Sequence, residues 1–370
     1  MNNKIKVLYI SDSLKQRFGI TAVITNYLNH FDWNRMQLDL LVFDDSEQEV
    51  MVNYKKLGAN IYFMPRLGLS NYFSFKKFLE EFFEEHQYQI VHSHFYQIDQ
   101  IVFPIAKKHG VVKCISHSHA TKFSDYKLRA IRNRLMSLNI GKVADVWAAC
   151  SDEAGEVLFG HSFRSNPKRL IVKNGIETKK YVFSSETRKE VRKELGITDT
   201  DIIIGHVGSQ KPQKNHNYLI DVFAEVCKKS DVYKLVLIGD GPLMPEMKSK
   251  VQNLGLENKV MFLGTRNDAP RLFNAFDIFV LPSLFEGLGI VAVEAQANGL
   301  ECILSKNVPK EADLTGVTYL DIDIPAAVWA ENIMKKTYSR HDDFNEKVVK
   351  AGYDIQSAAN EIQSFYEKII

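Results

Sequence analysis

Cysteine is scarce: the 370-residue chain has four (Cys114, Cys150, Cys227 and Cys302), far apart and with no CxxC pair. Each lies near an apolar stretch, where a free thiol packs as a small hydrophobe. The sequence therefore offers no disulfide framework and no cysteine-based zinc site, and a reducing compartment is expected. Long apolar runs are also missing. Nothing approaches the roughly eighteen residues that span a bilayer, and the opening MNNKIKVLYISDS holds only VLYI, too short for a signal-peptide core. The expected location is the cytoplasm. The net charge of +2 is too small to make nucleic acid the main partner. The charge is uneven, however. Residues 1–180 carry 25 Lys+Arg against 18 Asp+Glu, a net +7, and the rest carries 22 against 27, a net −5. A basic first half points to an anionic partner or surface.

What is present is rhythm. Short apolar runs at 5–11, 38–43, 60–64, 89–94, 111–118 and 145–151 read as buried strands, and helical patterns at 73–86, 97–109 and 126–141 lie among them. Near-continuous apolar strands alternating with helices predict a parallel sheet covered on both faces. The rhythm pauses over 170–187, with a turn at Asn174-Gly175, and restarts with strands at 201–209, 233–241, 259–264, 277–283 and 300–305. Two βαβ domains follow, 1–175 and 176–354. The helix at 355–370 has an apolar stripe and is expected to pack back on the first domain. Parallel sheets of this kind bind ligands beyond the carboxyl ends of their strands, so the segments just after strands are where chemistry is expected.

One such segment is PSLFEGLGIVAVEAQANG, residues 282–299. Gly287 and Gly289 allow a tight turn, and a helix starting near Ile290 offers free N–H groups to a phosphate or sugar hydroxyl. Glu294, inside an otherwise apolar helix, needs a partner to be buried; a ribose diol would serve, and Glu286 could do the same for a second sugar. The string also fits the dinucleotide pattern G-x-G-x-x-A, but Ser305 and Lys306 stand where that pattern needs an acid. A second segment, GSQKPQKNH (208–216), places Lys211 and Lys214 beside Gly208, suited to neutralising a diphosphate. GDGP (239–242) reads only as a tight turn. In the first domain, strand ends carry His92 with His94 and His117 with His119. Two HxH pairs suggest metal, but no acidic partner set accompanies them, so a substrate-binding role is expected, with the Gly19 turn beside it. Asp199–Asp201 and Asp321–Asp323 are D-x-D strings that fall outside the post-strand positions a nucleotide-bound ion would need. Lys127, Arg129, Arg132, Arg134 and Lys142 alternate with Leu128, Ile131, Leu135 and Leu138 in a basic amphipathic helix. That helix suits an anionic membrane surface or a solvated face equally.

Taken together these residues resemble the retaining glycosyltransferases of family 4 (group 1), among them bacterial capsular and exopolysaccharide enzymes. Glu286-x7-Glu294, KNH at 214–216, IVHSH at 90–94, ISHSHAT at 115–121, KNGIE at 173–177 and FLGTRND at 262–268 carry the resemblance. It implies the GT-B fold, two Rossmann-like domains facing across a cleft, with acceptor binding in the first and nucleotide-sugar binding in the second. It implies a nucleotide-diphosphate sugar, with UDP expected, and no metal or other cofactor. Glu294 would hold the ribose. Glu286, with Gly287, Leu288, Gly289 and Ile290, would contact the donor sugar, and Lys214 the diphosphate beside Gly208 and Ser209. The turn with Gly264 and Arg266 would lie near the base. His117 would touch the transferred sugar, with His119, His92, His94 and Gly19 on the acceptor side. The acceptor would be a glycan or a lipid-linked or protein-linked one. Two departures stand out: Ser209 occupies the position of the family's usual arginine, and Phe18-Gly19 that of a Gly-Gly pair. They leave open a non-catalytic subunit that supports a glycosyltransferase partner, or an epimerase or hydrolase on the same plan.

Overall fold

The computed structural model describes residues 4–15, 19–43, 48–124 and 127–370; Phe18 and Tyr126 lie outside the described residues. The chain divides into two compact units, Met1–Gly175 with Ile355–Ile370, and Ile176–Asp354.

The first unit is built on β1 (Ile5–Ile10), β2 (Met36–Val42), β3 (Ile61–Phe63), β4 (Ile90–Ser93), β5 (Lys113–Ser118), β6 (Val146–Ala149) and β7 (Arg169–Ile171). They pair in the order β3-β2-β1-β4-β5-β6-β7, and every neighbouring pair is parallel. The second unit holds β8 (Ile202–Val207), β9 (Tyr233–Ile238), β10 (Val260–Phe262), β11 (Ile278–Leu281), β12 (Cys302–Ser305) and β13 (Thr318–Leu320). Their order is β10-β9-β8-β11-β12-β13, again parallel throughout. Each sheet reverses direction beside its first strand, between β1 and β4 and between β8 and β11. In a doubly wound sheet that reversal opens a crevice at the carboxyl ends, where ligands bind.

The strands are apolar because both faces are covered. β11 and β12 are buried at every residue, and β1 at every residue but Lys6. Gly205 interrupts β8 for a packing reason: a Cβ there would sit 2.2 Å from the Phe276 ring. Three of the four cysteines are buried and none is bonded to another.

The segment read as a pause, 170–187, begins in β7 and ends in a helix, Ser185–Glu194. A three-residue edge strand is too short to show in an apolar pattern. The helix is capped by Ser184, whose hydroxyl accepts from the Thr187 N–H. The basic segment forms Lys127–Ser137, then breaks at Asn139 (φ 70°) before a short turn at Ile140–Val143. The final helix, Ile355–Ile369, gives Ile355, Ala358, Ala359, Ile362 and Tyr366 to the core of the first unit. Gly175 makes room for it, since a Cβ there would meet the Ile355 Cα at 2.8 Å. Among the described residues no helix is long and apolar enough to cross a membrane.

Candidate active site

In the second unit the loops that follow β8 and β11 meet at the reversal point. Lys214 Nζ lies 2.6 Å from Glu286 Oε1, with the two side chains 13% and 7% exposed. Ser283 donates its hydroxyl to the same oxygen at 2.6 Å, and Gln213 donates to Oε2 at 3.3 Å and to the Phe285 carbonyl at 3.1 Å. A main-chain bond, Leu284 N–H to Gln213 O, ties the loops together at 2.8 Å. Lysine and carboxylate were expected to serve different parts of a donor; here they hold each other. Each charge offsets part of the cost of burying the other, because neither is buried alone.

Glycines make this geometry. Lys214 lies across Gly208, where a Cβ would come within 3.1 Å of its Cε. The GDGP turn, which reads only as a loop in the sequence, braces the β8 loop from the other side. Gly239 (φ 130°) could not accept a Cβ, which would fall 2.1 Å from the Gly208 carbonyl oxygen. Gln210 locks the contact, donating from its side chain to Gly239 O and from its main chain to Asp240 O. Gly289 (φ 84°) caps the Ile290–Ala297 helix, so the first N–H groups of that helix emerge beside Glu286 and Gly287. Leu288 is buried.

Glu294 stands one turn into that helix. It keeps some exposed surface, yet burial pushes its carboxyl up to about 7, opposed by a hydrogen bond with Tyr181 and by the charge of Lys214. Its partner is thus a phenol rather than a buried cation. Tyr181, in the turn Thr178–Tyr181, is itself raised by burial and by the Glu294 charge. Beneath Lys214, His206 and His216 pack edge to face with ring centres 4.6 Å apart. Burial lowers them to about 4 and about 2, so both are neutral. Ser209 is partly buried, and Lys211 is exposed on the same turn. Gly264 accepts from the Gly239 N–H at 2.8 Å, which places it in the braced loops. Arg266 is tied to Asp268 through two bonds of 2.7 Å and to Glu194 at 3.3 Å, after the edge strand β10. It therefore sits two strands away from the β8–β11 reversal.

In the first unit the four histidines form one stack at the ends of β4 and β5. His92 Nδ1 is 2.6 Å from the Tyr366 hydroxyl and its Nε2 3.0 Å from His117 Nδ1; His94 Nδ1 is 2.8 Å from His119 Nε2. The Tyr366 hydroxyl also meets that of Tyr9 at 2.8 Å. Burial lowers all four, His92 to about 3 and His119 to about 4. The Nε2 atoms of His94 and His117 have no hydrogen-bond partner among the described residues. Ligand atoms of His92, His94 and His117 come within 4.8 Å of one another, which the HxH spacing foreshadowed. Both nitrogens of His92, however, are spent on Tyr366 and His117. A cavity of about 130 Å³ opens beside His94, His117 and His119, bordered by Ile20 from the helix that begins at Gly19. In the D-x-D strings, Asp201 pairs with Lys234 and accepts from the Thr198 N–H, and Asp321 accepts from the Asp323 N–H and lies 3.7 Å from Lys306 Nζ.

Sequence reading missed Ser283, Gln213, Tyr181, Gln210 and the His206–His216 pair. Their types carry no signal alone. Only the proximity of the β8 and β11 loops, itself a product of strand order, gives them a role.

Comparison with known proteins supplies the family. Residues 187–316 match the profile described as Glycosyl transferases group 1. The chain is 30% identical over 379 residues to EpsF of Bacillus subtilis (strain 168), a protein named as a glycosyltransferase, covering 99% of this chain and 97% of that one. It is 28% identical, over 61% of this chain and 60% of the relative, to an Escherichia coli enzyme. That enzyme is named UDP-Gal:alpha-D-GlcNAc-diphosphoundecaprenol alpha-1,3-galactosyltransferase. Among solved structures, Anabaena HepE in complex with UDP and glucose superposes with a TM-score of 0.78 at 18% identity, covering 98% of this chain and all of that one. The fold is therefore GT-B, and the chain belongs to the group 1 glycosyltransferases.

Proposed function

We propose that this protein is a retaining glycosyltransferase that moves a sugar from a nucleotide-diphosphate sugar, with UDP as the nucleotide, to an acceptor in cell-surface polysaccharide synthesis. The observation that carries the proposal is the Lys214–Glu286 pair at the β8–β11 reversal, with Glu294 one helical turn beyond it. In this reading the diphosphate draws Lys214 from Glu286 and lies against the N–H groups at Ile290. Glu286, still held by Ser283 and Gln213, accepts hydrogen bonds from the donor sugar. Glu294 takes the ribose diol, a role that favours its ionised form.

The bond from the anomeric carbon to the diphosphate oxygen lengthens, and negative charge grows on the phosphate. Lys214 and the helix N–H groups stabilise that charge where it develops. The acceptor hydroxyl attacks from the face the phosphate leaves, and the phosphate takes the proton, so the anomeric configuration is retained. Positive charge comes from protein groups, and the proposed reaction needs no metal or cofactor. His117, with its unpartnered Nε2, is proposed to contact the transferred sugar, and the His94–His119 cavity to serve the acceptor. The names of the B. subtilis and E. coli relatives support the reaction class.

Thermal shift against UDP, GDP, ADP and CMP, with and without metal, is the test. Stabilisation by UDP that is lost in Glu294→Ala supports the reading. Stabilisation by none of them overturns it and favours a supporting subunit. Sugar release without acceptor, at the rate seen with it, favours a hydrolase.

A further inference from the structure

The donor chemistry gives no reason for a phenol of the last helix to reach the histidine stack. Tyr9 and His92 are register partners on β1 and β4, and His117 lies on β5 two residues beyond Ile115, the partner of His92. Alternate residues of a strand share a face, so the three side chains meet on one side of the sheet. Tyr366 comes to them from the helix Ile355–Ile369, and all four are buried. Their contacts run in one line: Tyr9 hydroxyl to Tyr366 hydroxyl, Tyr366 hydroxyl to His92 Nδ1, and His92 Nε2 to His117 Nδ1.

Counting protons gives that line a direction. Burial keeps both imidazoles neutral, with one proton each. Among the described residues the Tyr9 hydroxyl meets only that of Tyr366. If Tyr9 accepted there, its own proton would be left without an acceptor in the core, which is costly. Tyr9 therefore donates to Tyr366, and Tyr366 donates to His92 Nδ1. The proton of His92 then sits on Nε2 and goes to His117 Nδ1, because the bond made by one ring nitrogen decides which of the two is protonated. The proton of His117 is left on Nε2. The reverse direction would strand a hydroxyl in the core. The forward direction ends in an N–H at the His94–His117–His119 cavity, where a ligand can accept it. Neither Tyr366 nor His92 lines that cavity, so both act through His117.

We infer that Tyr366 and His92 are positioning residues that fix the proton of His117 on Nε2, so that His117 meets its ligand as a hydrogen-bond donor and not as a base. The ligand atom facing His117 must then bring a lone pair, as a hydroxyl, ring or carbonyl oxygen of a sugar does. That the ligand is a sugar rests on the glycosyltransferase reading; the direction of the line does not.

The test is nuclear magnetic resonance of the full chain labelled with nitrogen-15 histidine, which reports the protonated nitrogen of each ring. His92 and His117 should both carry the proton on Nε2, with both Nδ1 atoms shifted as hydrogen-bond acceptors. A proton on Nδ1 of either ring, or exchange between the two nitrogens of His117, would overturn the inference. Tyr9→Phe and Tyr366→Phe each remove one hydroxyl from the same line, and a merely structural role would make them alike. In Tyr366→Phe the Nδ1 signal of His92 should move to the position of an unbonded acceptor. In Tyr9→Phe it should stay, because Tyr366 still has a proton to give. The same response in both variants would overturn the role of Tyr366. If Tyr366→Phe does not fold, the parent and Tyr9→Phe spectra still decide the direction. A protein with the expected spectra that does not respond to UDP loses the glycosyltransferase reading and keeps the line of bonds. One that responds to UDP with the His117 proton on Nδ1 keeps that reading and loses the line.

Discussion

Replacing Lys214 with alanine perturbs two things, and the structure separates them. The first is stability. Deleting one partner of a buried ion pair costs roughly 3–5 kcal/mol, because the other charge is stranded. Glu286 would keep its bonds from Ser283 and Gln213, and the pair is not wholly shielded from water. A loss of about 2–3 kcal/mol is therefore expected, below that range. For a domain of this size each kcal/mol lowers the melting temperature by roughly 2–4 °C, so the fall should be roughly 5–10 °C. The second is diphosphate binding, where losing a charged hydrogen bond costs about 1.5–3 kcal/mol, or about 10- to 100-fold in Kd for UDP. The double variant Lys214→Met/Glu286→Gln removes both charges. It should recover most of the melting temperature and none of the affinity. Differential scanning fluorimetry and calorimetric titration with UDP read the two effects. An unchanged Kd in Lys214→Ala, or affinity restored together with stability in the double variant, would refute the assignment of this lysine to the diphosphate.

Further outcomes follow from the same geometry. Because Glu286 competes for Lys214, Glu286→Gln should tighten UDP binding by about 3- to 10-fold, a pair worth of order 1 kcal/mol net, while sugar transfer falls; weaker UDP binding in that variant would count against the competition. Glu294 sits near 7 and binds a ribose better when ionised, so UDP affinity should rise with pH up to about 7. Glu294→Gln should remove that step, and Tyr181→Phe should move it upward, since Tyr181 lowers the carboxyl. The four first-unit histidines have depressed values, so they stay neutral in the fold and take up protons on unfolding. Their stabilising effect is present above the unfolded value of about 6.5 and is lost as pH falls below it. Thermal melts between pH 7.5 and 5 should show a steep fall, made shallower in His94→Gln; a flat profile would contradict the neutral stack. Gly239→Ala should cost about 3 kcal/mol or more, from a forced contact and a positive φ, seen as a lowered midpoint in urea.

Much of the fold is legible in the sequence because buried parallel strands are written as unbroken apolar runs. The runs at 5–11 and 277–283 fall on β1 and β11 for that reason. β7 and β13 are three-residue edge strands, half-exposed, and carry no such signature. At the site, Glu286 and Glu294 announce themselves as carboxylates in an apolar setting, and Lys214 by its glycine neighbour. That the lysine and Glu286 face each other is not written in either segment. It follows from β8 lying beside β11, a pairing set by the winding of the sheet. The ion pairs of Arg266 with Asp268 and with Glu194, 72 residues away, are likewise only half written in its motif: Asp268 is in it, Glu194 is not.

The last helix also sets the order in which the protein can be made. Residues 355–370 are translated after every residue of the second unit, yet Ile355, Ile362 and Tyr366 close the core of the first. The sheet of the first unit thus waits, with Tyr9 and His92 lacking Tyr366, until residues 355–369 have been made. The second unit has no such debt and can form while the chain is still growing. The core that forms first along the chain is therefore the last to be completed, and a chain cut before residue 355 would leave the first unit's core without Ile355, Ile362 and Tyr366.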